Sequence, residues 1–349
     1  MTATTVRAVR LGTVGAYLTS GDADTVRLVR SQVGRVTLSG KAGLRTLSAL
    51  AKVDDLTGID LDPATYLERD TEDELFPVDW IGRQRELGLE VVRSEGRFAR
   101  RNNPKSLKDA FAGHLGAGVV RVVSFSDFWL LRNHVNDVAA AVRNCDEPLA
   151  FVFAALFDPL ETPESIDSLR LLMNAASTGE RPVELLRTDT HGIPFAAHGG
   201  ALAAIGLTSS GRHHPQPMNR STREQFERRQ QSASVWVPSL MGWQQGAKLD
   251  AVRPFGGAGI TDCGCGSCNG RDLMRFTKEW EHVPATVRAD AREHDVASWV
   301  ALRNRILGAP DCQVAWREAC AAAQRVEGAL AEQYKVAALK APRSLRNWA

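Results

Sequence analysis

The sequence predicts an α/β chain, a (β/α)8 TIM barrel followed by a smaller C-terminal subdomain, and three observations point that way. Eight short segments, near residues 35–39, 57–61, 89–93, 119–125, 149–157, 183–188, 203–208 and 234–241, are rich in Val, Ile, Leu and Phe with little polar alternation. Strands covered on both faces have that pattern. Helical periodicity fills the gaps, at 78–87, 107–114, 133–143 and 165–177, as crossovers between parallel strands require. After residue 247 the chain turns Gly-rich and irregular, then helical near 271–281, 294–307 and 311–340. The expected division is an N-terminal extension (1–30, a hairpin plugging one end of the barrel), the barrel (31–247) and the C-terminal subdomain (248–349). A doubly wound open sheet is the alternative that the same alternation allows.

The composition agrees with a globular protein. The 349 residues are 44% apolar and 24% charged, enough for a barrel of about 250 residues with an appendage. No stretch reaches the roughly 18 apolar residues of a membrane span, and Met1-Thr-Ala-Thr-Thr opens no apolar run of signal-peptide length. Cytoplasmic residence and no membrane partner are the expectation. A net charge of +2 selects no class of partner by itself. Cys145, Cys312 and Cys320 stand apart and read as buried small apolar groups.

The other three cysteines crowd into Cys263-Gly-Cys265-Gly-Ser-Cys268. Glycines let such a loop turn tightly, so three thiolates can close on one ion. A fourth donor must come from elsewhere, and His282 and His294 are the only histidines downstream. His294 opens a helical stretch carrying Val296, Trp299, Val300 and Leu302, which would present a fixed side chain. A Cys3His zinc site made by Cys263, Cys265, Cys268 and His294 is closed and structural, with no position left for water.

The spacing Cys-x-Cys-x2-Cys-x25-His resembles the zinc motif of the tRNA-guanine transglycosylases, a family that includes DNA-acting members inserting 7-deazaguanine derivatives. Ala204-Ile205-Gly206-Leu207, placed on the seventh strand, is similar to that family's base-contacting Ala-Ile-Gly-Gly-Leu segment. Asp60 or Asp62, on the second strand, lies where the family keeps an aspartate. The resemblance implies exchange or cleavage of a guanine-type base at its N-glycosidic bond, in tRNA or DNA, by a homodimer or a heterodimer with a paralogue. Two features depart from the family. Its attacking aspartate at the end of the eighth strand has no counterpart here, since no Asp occurs between residues 190 and 249, and the Ser-Gly-Gly-Phe part of the base-binding motif is absent. A degenerate barrel serving as a nucleic-acid-binding or partner subunit, or glycosyl transfer on free purine nucleosides, are the alternatives.

Barrel enzymes carry their chemistry at the C-terminal strand ends, which directs attention to the polar residues there. Asp60 or Asp62 would polarise or deprotonate, and Asp189 is the candidate nucleophile. Arg187, two residues before Asp189, would share its face and orient it. Asp127 and Gly206 would read the purine edge, Arg212 and His213 would hold a phosphate or base, and Trp243, Phe125 or Phe128 would supply an aromatic face. Asp62 and Asp158, each followed by proline, fit equally well as helix N-caps. Basic clusters at 97–108 and 212–229 could meet a phosphate backbone or be solvated helix faces.

Overall fold

The computed structural model describes residues 12–19, 21–67, 78–155, 158–208, 211–212, 214–215, 234–277 and 285–348. The chain divides into two compact units, 1–216 and 217–349.

The first unit is built on β1 (Thr13–Leu18), β2 (Val36–Ser39), β3 (Ile59–Asp62), β4 (Val92–Arg93), β5 (Arg97–Ala99), β6 (Val119–Ser126), β7 (Leu149–Ala155), β8 (Val183–Thr188) and β9 (Leu202–Gly206). The main path runs β3-β2-β1-β9-β8-β7-β6-β4, and every pairing along it is parallel. Two short strands, β5 and β10 (His214–Pro215), add to β6 and β7. The eight-stranded sheet is curled, and Tyr17, Val122, Ala150, Val152, Leu186 and Ala204 pack into one buried cluster. Helices cross between successive strands. The one over Pro163–Ser177 shows why: Thr162 and Ser165 form a capping box, Pro163 sits in the first turn, and Ile166, Leu169, Leu172 and Ala176 are buried.

Two expectations are corrected here. The first strand is β1, inside the stretch read as a plugging hairpin. Gly15 disguised it, because a glycine in a strand ordinarily signals a bulge or loop. Here it marks a close approach, since a Cβ at Gly15 would lie 2.6 Å from the Arg35 carbonyl oxygen. The segment 234–241, read as the eighth barrel strand, belongs to the second unit. There β11 (Ser234–Val237) pairs antiparallel with β12 (Gly242–Gln245). The eighth strand of the sheet is therefore β9, and the Ala204–Leu207 segment lies on it rather than on the seventh.

A closed barrel was also expected, and the sheet stays open between β3 and β4. Side chains occupy that seam. The fully buried Gln84 mimics a neighbouring strand: its amide donates to the Arg93 carbonyl at 2.7 Å and accepts from the Arg93 N–H at 3.0 Å. From the same residue, the guanidinium of Arg93 reaches the Leu61 carbonyl at 3.4 Å and Asp60 at 3.5 Å, and donates to Glu184 at 2.8 Å. Arg35 completes the network with two 2.7 Å bonds to Asp60. Arg93 and Asp60 are completely buried.

In the second unit, helices Ala285–Leu307 and Cys312–Glu332 and the β11–β12 hairpin pack around Val235, Val237, Leu249, Ile260, Leu273 and Phe276. Among the described residues, no helix is long and apolar enough to cross a membrane.

The seam makes a prediction about stability. Arg93→Ala leaves Asp60 and Glu184 short of a buried partner and should cost about 3–5 kcal/mol in urea unfolding of the first unit. A loss below about 1 kcal/mol would show that the network does not hold the seam.

Candidate functional site

Parallel strands bring their C-terminal ends to one rim. The two aspartates of β3 divide by depth along it. They lie two apart and so share a face, but Asp60 is tied into the seam by Arg35 and Arg93, whereas Asp62 closes the strand at the rim. Asp60 therefore has a structural partner set.

Asp62 is held by three donors. Its Oδ2 accepts from Tyr17 Oη at 2.7 Å and Tyr66 Oη at 2.5 Å, and its Oδ1 from the Ala64 N–H at 2.9 Å. Ser39 Oγ lies 3.0 Å from the Tyr17 hydroxyl. Burial, reinforced by the Asp62 charge, pushes both phenols up in pKa, so they remain donors. With no exposed surface and three donors on two oxygens, the Asp62 carboxyl group is fixed in place. Beside it, Arg187 places its guanidinium over the Tyr17 ring, 5.4 Å from the centroid.

The end of β8 is irregular. Its register against β9 shifts between Leu185 and Thr188, and Arg187 adopts φ +52°, a left-handed conformation that costs a non-glycine residue about 1–3 kcal/mol. This bulge interrupts the alternation that would put Arg187 and Asp189 on one face. Asp189 instead meets two residues that sequence reasoning undervalued or missed. His191 Nε2 lies 2.9 Å from Asp158 Oδ2, and one donor atom from each of Asp158, Asp189 and His191 falls within 4.8 Å of the others. His191 is 1% exposed and the Asp158 side chain 24%. Burial opposes a charge on His191, but Asp158 and Asp189 outweigh it and raise its pKa. Burial and then Asp158 raise Asp189, against the pull of His191 and Arg212. Asp158 also accepts from the Leu160 N–H at 2.9 Å, a turn bond rather than the expected helix N-cap, which Thr162 supplies to the helix that follows. The signal available for His191 was its position two residues after Asp189.

Asp158 also lines a cleft of about 400 Å³ with Asp127, Phe128, Arg101, Glu161 and Glu164. Asp127 and Phe128 thus reach the rim as expected, while Phe125 is packed among Phe151 and Phe153 beneath the surface. Gly206 has no open side: a Cβ there would lie 2.2 Å from the Gly211 backbone. Its carbonyl accepts from Arg212 Nε at 3.3 Å. His213 and most of the 212–229 basic stretch lie outside the described residues. The neighbouring His214 is buried, 2.9 Å from Ser124 Oγ, with its ring between those of Tyr66 and Phe98. Trp243 belongs to the second unit, where it packs edge-on against Trp236.

In that unit the thiols of Cys263, Cys265 and Cys268 surround His294 Nδ1 at 3.4, 3.6 and 3.1 Å. A tetrahedral ion with M–S near 2.3 Å and M–N near 2.05 Å asks for S···N separations of about 3.5 Å, so the four groups fit and could hold a metal ion. The imidazole is aimed by its other nitrogen, which lies 2.7 Å from the Trp236 carbonyl oxygen. That bond fixes the proton on Nε2 and turns the Nδ1 lone pair toward the sulfurs. Burial keeps the ring neutral by lowering its pKa. Sulfur charge is anticipated as well. Arg275 donates to Cys268 at 2.9 Å and is itself held by Asp290 at 2.9 Å, while backbone N–H groups of Cys265 and Cys268 point at the preceding sulfurs. As bare thiols these groups resist ionising together, burial pushing Cys268 up to about 12.

Cys268→Ser and His294→Ala should each lose one equivalent of bound metal by elemental analysis and lower the melting temperature of the second unit by about 10 °C or more, as a loss of roughly 2 kcal/mol implies. Chelator treatment of the unaltered chain should reproduce both effects, and unchanged metal content in the variants would remove these residues from the ligand set. In comparisons with known proteins, no family model, no curated protein and no solved structure matches this chain.

Proposed function

We propose that this chain breaks or exchanges the N-glycosidic bond of a guanine-type base in RNA or DNA, and that its second unit is organised by a structural zinc ion. The observation that carries the reading is the meeting of Cys263, Cys265, Cys268 and His294 at separations suited to one ion, in residues whose spacing resembles the tRNA-guanine transglycosylases. Three sulfurs and one imidazole favour zinc over harder cations, and four protein donors leave no open position, so the ion serves structure.

The first unit is compatible with the same reading, as a curled sheet of eight parallel strands whose open seam is bridged by side chains. Its strands neighbour one another in chain order, and β9 returns to β1. At the rim, Asp189 is the carboxylate on which the reaction depends. Its oxygen bonds to C1′ as the C1′–N bond breaks, the electron pair of that bond leaves with the base, which takes up a proton from water, and water or an incoming base then displaces the carboxylate from C1′. The cleft residues Asp127 and Phe128 position the base, the buried Asp62 holds the Tyr17 and Tyr66 hydroxyls in place, and Arg212 steadies the rim near Asp189.

A second reading, a binding subunit for a catalytic paralogue, is favoured by the last strand, which ends at Gly206 with no carboxylate. One assay separates the readings: release of labelled guanine or a 7-deazaguanine from tRNA, DNA and free nucleoside, with and without Asp189→Asn. The proposal expects release from a polymer, at least a hundredfold slower in the variant, with the cysteine-bound metal unchanged. Release only from free nucleoside would move the substrate to that class. No release from any of the three overturns catalysis by this chain and leaves the binding subunit.

A further inference from the structure

We infer that Asp158, Asp189 and His191 form a second metal site, which takes one divalent transition-metal cation through two carboxylate oxygens and an imidazole nitrogen. The inference goes beyond the glycosyl-transfer reading, and metal binding itself does not depend on that reading.

The donors come from two loops at one end of the sheet, Asp158 after β7 and Asp189 and His191 after β8. The bulge at Leu185–Thr188 lies immediately before Asp189 on that strand. An ion about 2.1 Å from each donor requires them to lie roughly 3–4 Å apart. The closest pair, His191 Nε2 and Asp158 Oδ2, stands at 2.9 Å, and no separation exceeds 4.8 Å. Side-chain shifts of about an ångström would bring all three onto one centre. The imidazole is buried to 1% exposure, which separates this group from the acidic patches that crowd ordinary surfaces. Two carboxylates held close in a poorly solvated place repel each other, and each raises the cost of ionising the other. A divalent cation removes that conflict.

The donor chemistry differs from that of the cysteine cluster. Three thiolates and an imidazole suit soft, closed coordination; two carboxylates and an imidazole accept harder ions such as manganese as well as zinc. Three protein donors also leave coordination positions open. Asp158 lines the 400 Å³ cleft, which brings one of the three donors to water. Ion-bound water is a nucleophile near neutral pH. If the glycosyl-transfer reading holds, an ion here would change Asp189 from nucleophile to ligand: the water oxygen would bond to C1′, the electron pair of the C1′–N bond would leave with the base, and the water proton would end on the base. Cleavage, rather than exchange, would then be the outcome.

Manganese is the probe, because it competes poorly for thiolates. The full chain is titrated with Mn2+ and bound ion is read by electron paramagnetic resonance, with no nucleic acid present. One equivalent should bind to the unaltered chain, and Asp189→Asn and His191→Ala should each weaken binding at least tenfold. Far-UV circular dichroism and urea unfolding of the first unit report that these variants remain folded. No manganese binding to the unaltered chain overturns the inference whatever the variants do, and so does binding that both variants leave unchanged. Neither result touches the base-release assay, so failure of one claim stays distinguishable from failure of the other.

Discussion

Burying Arg93 beside Asp60 and Glu184 is the constraint on which the rest of the first unit depends. Moving such ions out of water costs several kcal/mol each unless the geometry is good and the remaining donors and acceptors are met. Here Arg35 shares the load on Asp60 through two short bonds, and Arg93 spends further hydrogen bonds on Glu184 and on the β3 backbone. Gln84 meets the backbone of Arg93 itself. The seam between β3 and β4 is thereby joined by side chains where a backbone ladder is missing. A sheet whose edges are tied in this way keeps its curl, and the curl gathers the C-terminal strand ends around one mouth.

The consequence appears along β3. Its period of two puts Asp60 and Asp62 on one face, so the strand that supplies the buried charge also delivers a carboxylate to the mouth. Asp62 is then immobilised by Tyr17 and Tyr66, which come from different parts of the chain. The more adaptable chemistry lies on the other side of the mouth, after β8. There the left-handed Arg187 and the register shift mark backbone held away from its relaxed form, and Asp158, Asp189 and His191 gather. A carboxyl group fixed by hydrogen bonds on one side and a partly solvated group on the other is a division of roles that acid–base and metal chemistry both use.

Much of this was legible in the residues. The apolar runs of β2, β3, β6, β7 and β8 stand where periodicity placed them, because strands covered on both faces carry an unbroken apolar signal. The cysteine cluster was readable from spacing alone, and His294 from the helix that presents it. Other elements hid for physical reasons. Gly15 lets β1 approach β2 and, in the same stroke, erases its strand signature. Residues 234–237 are as apolar as a barrel strand, and composition does not distinguish a parallel neighbour from the antiparallel partner that β12 provides. The partnership of His191 with Asp158 joins residues 33 apart in sequence, and it exists only because neighbouring strands end at the same level. The bulge at Arg187 follows from register rather than from residue type, which is why the face shared by Arg187 and Asp189 could not be read off the alternation.

The account turns on the identity of the ion held by the cysteine loop, and zinc K-edge X-ray absorption of the purified chain, stripped of weakly held ions, examines that directly. A first shell of three sulfurs near 2.3 Å and one nitrogen near 2.05 Å is the predicted result. A shell of oxygen and nitrogen alone, or no retained zinc, would contradict it and with it the kinship on which the functional proposal rests.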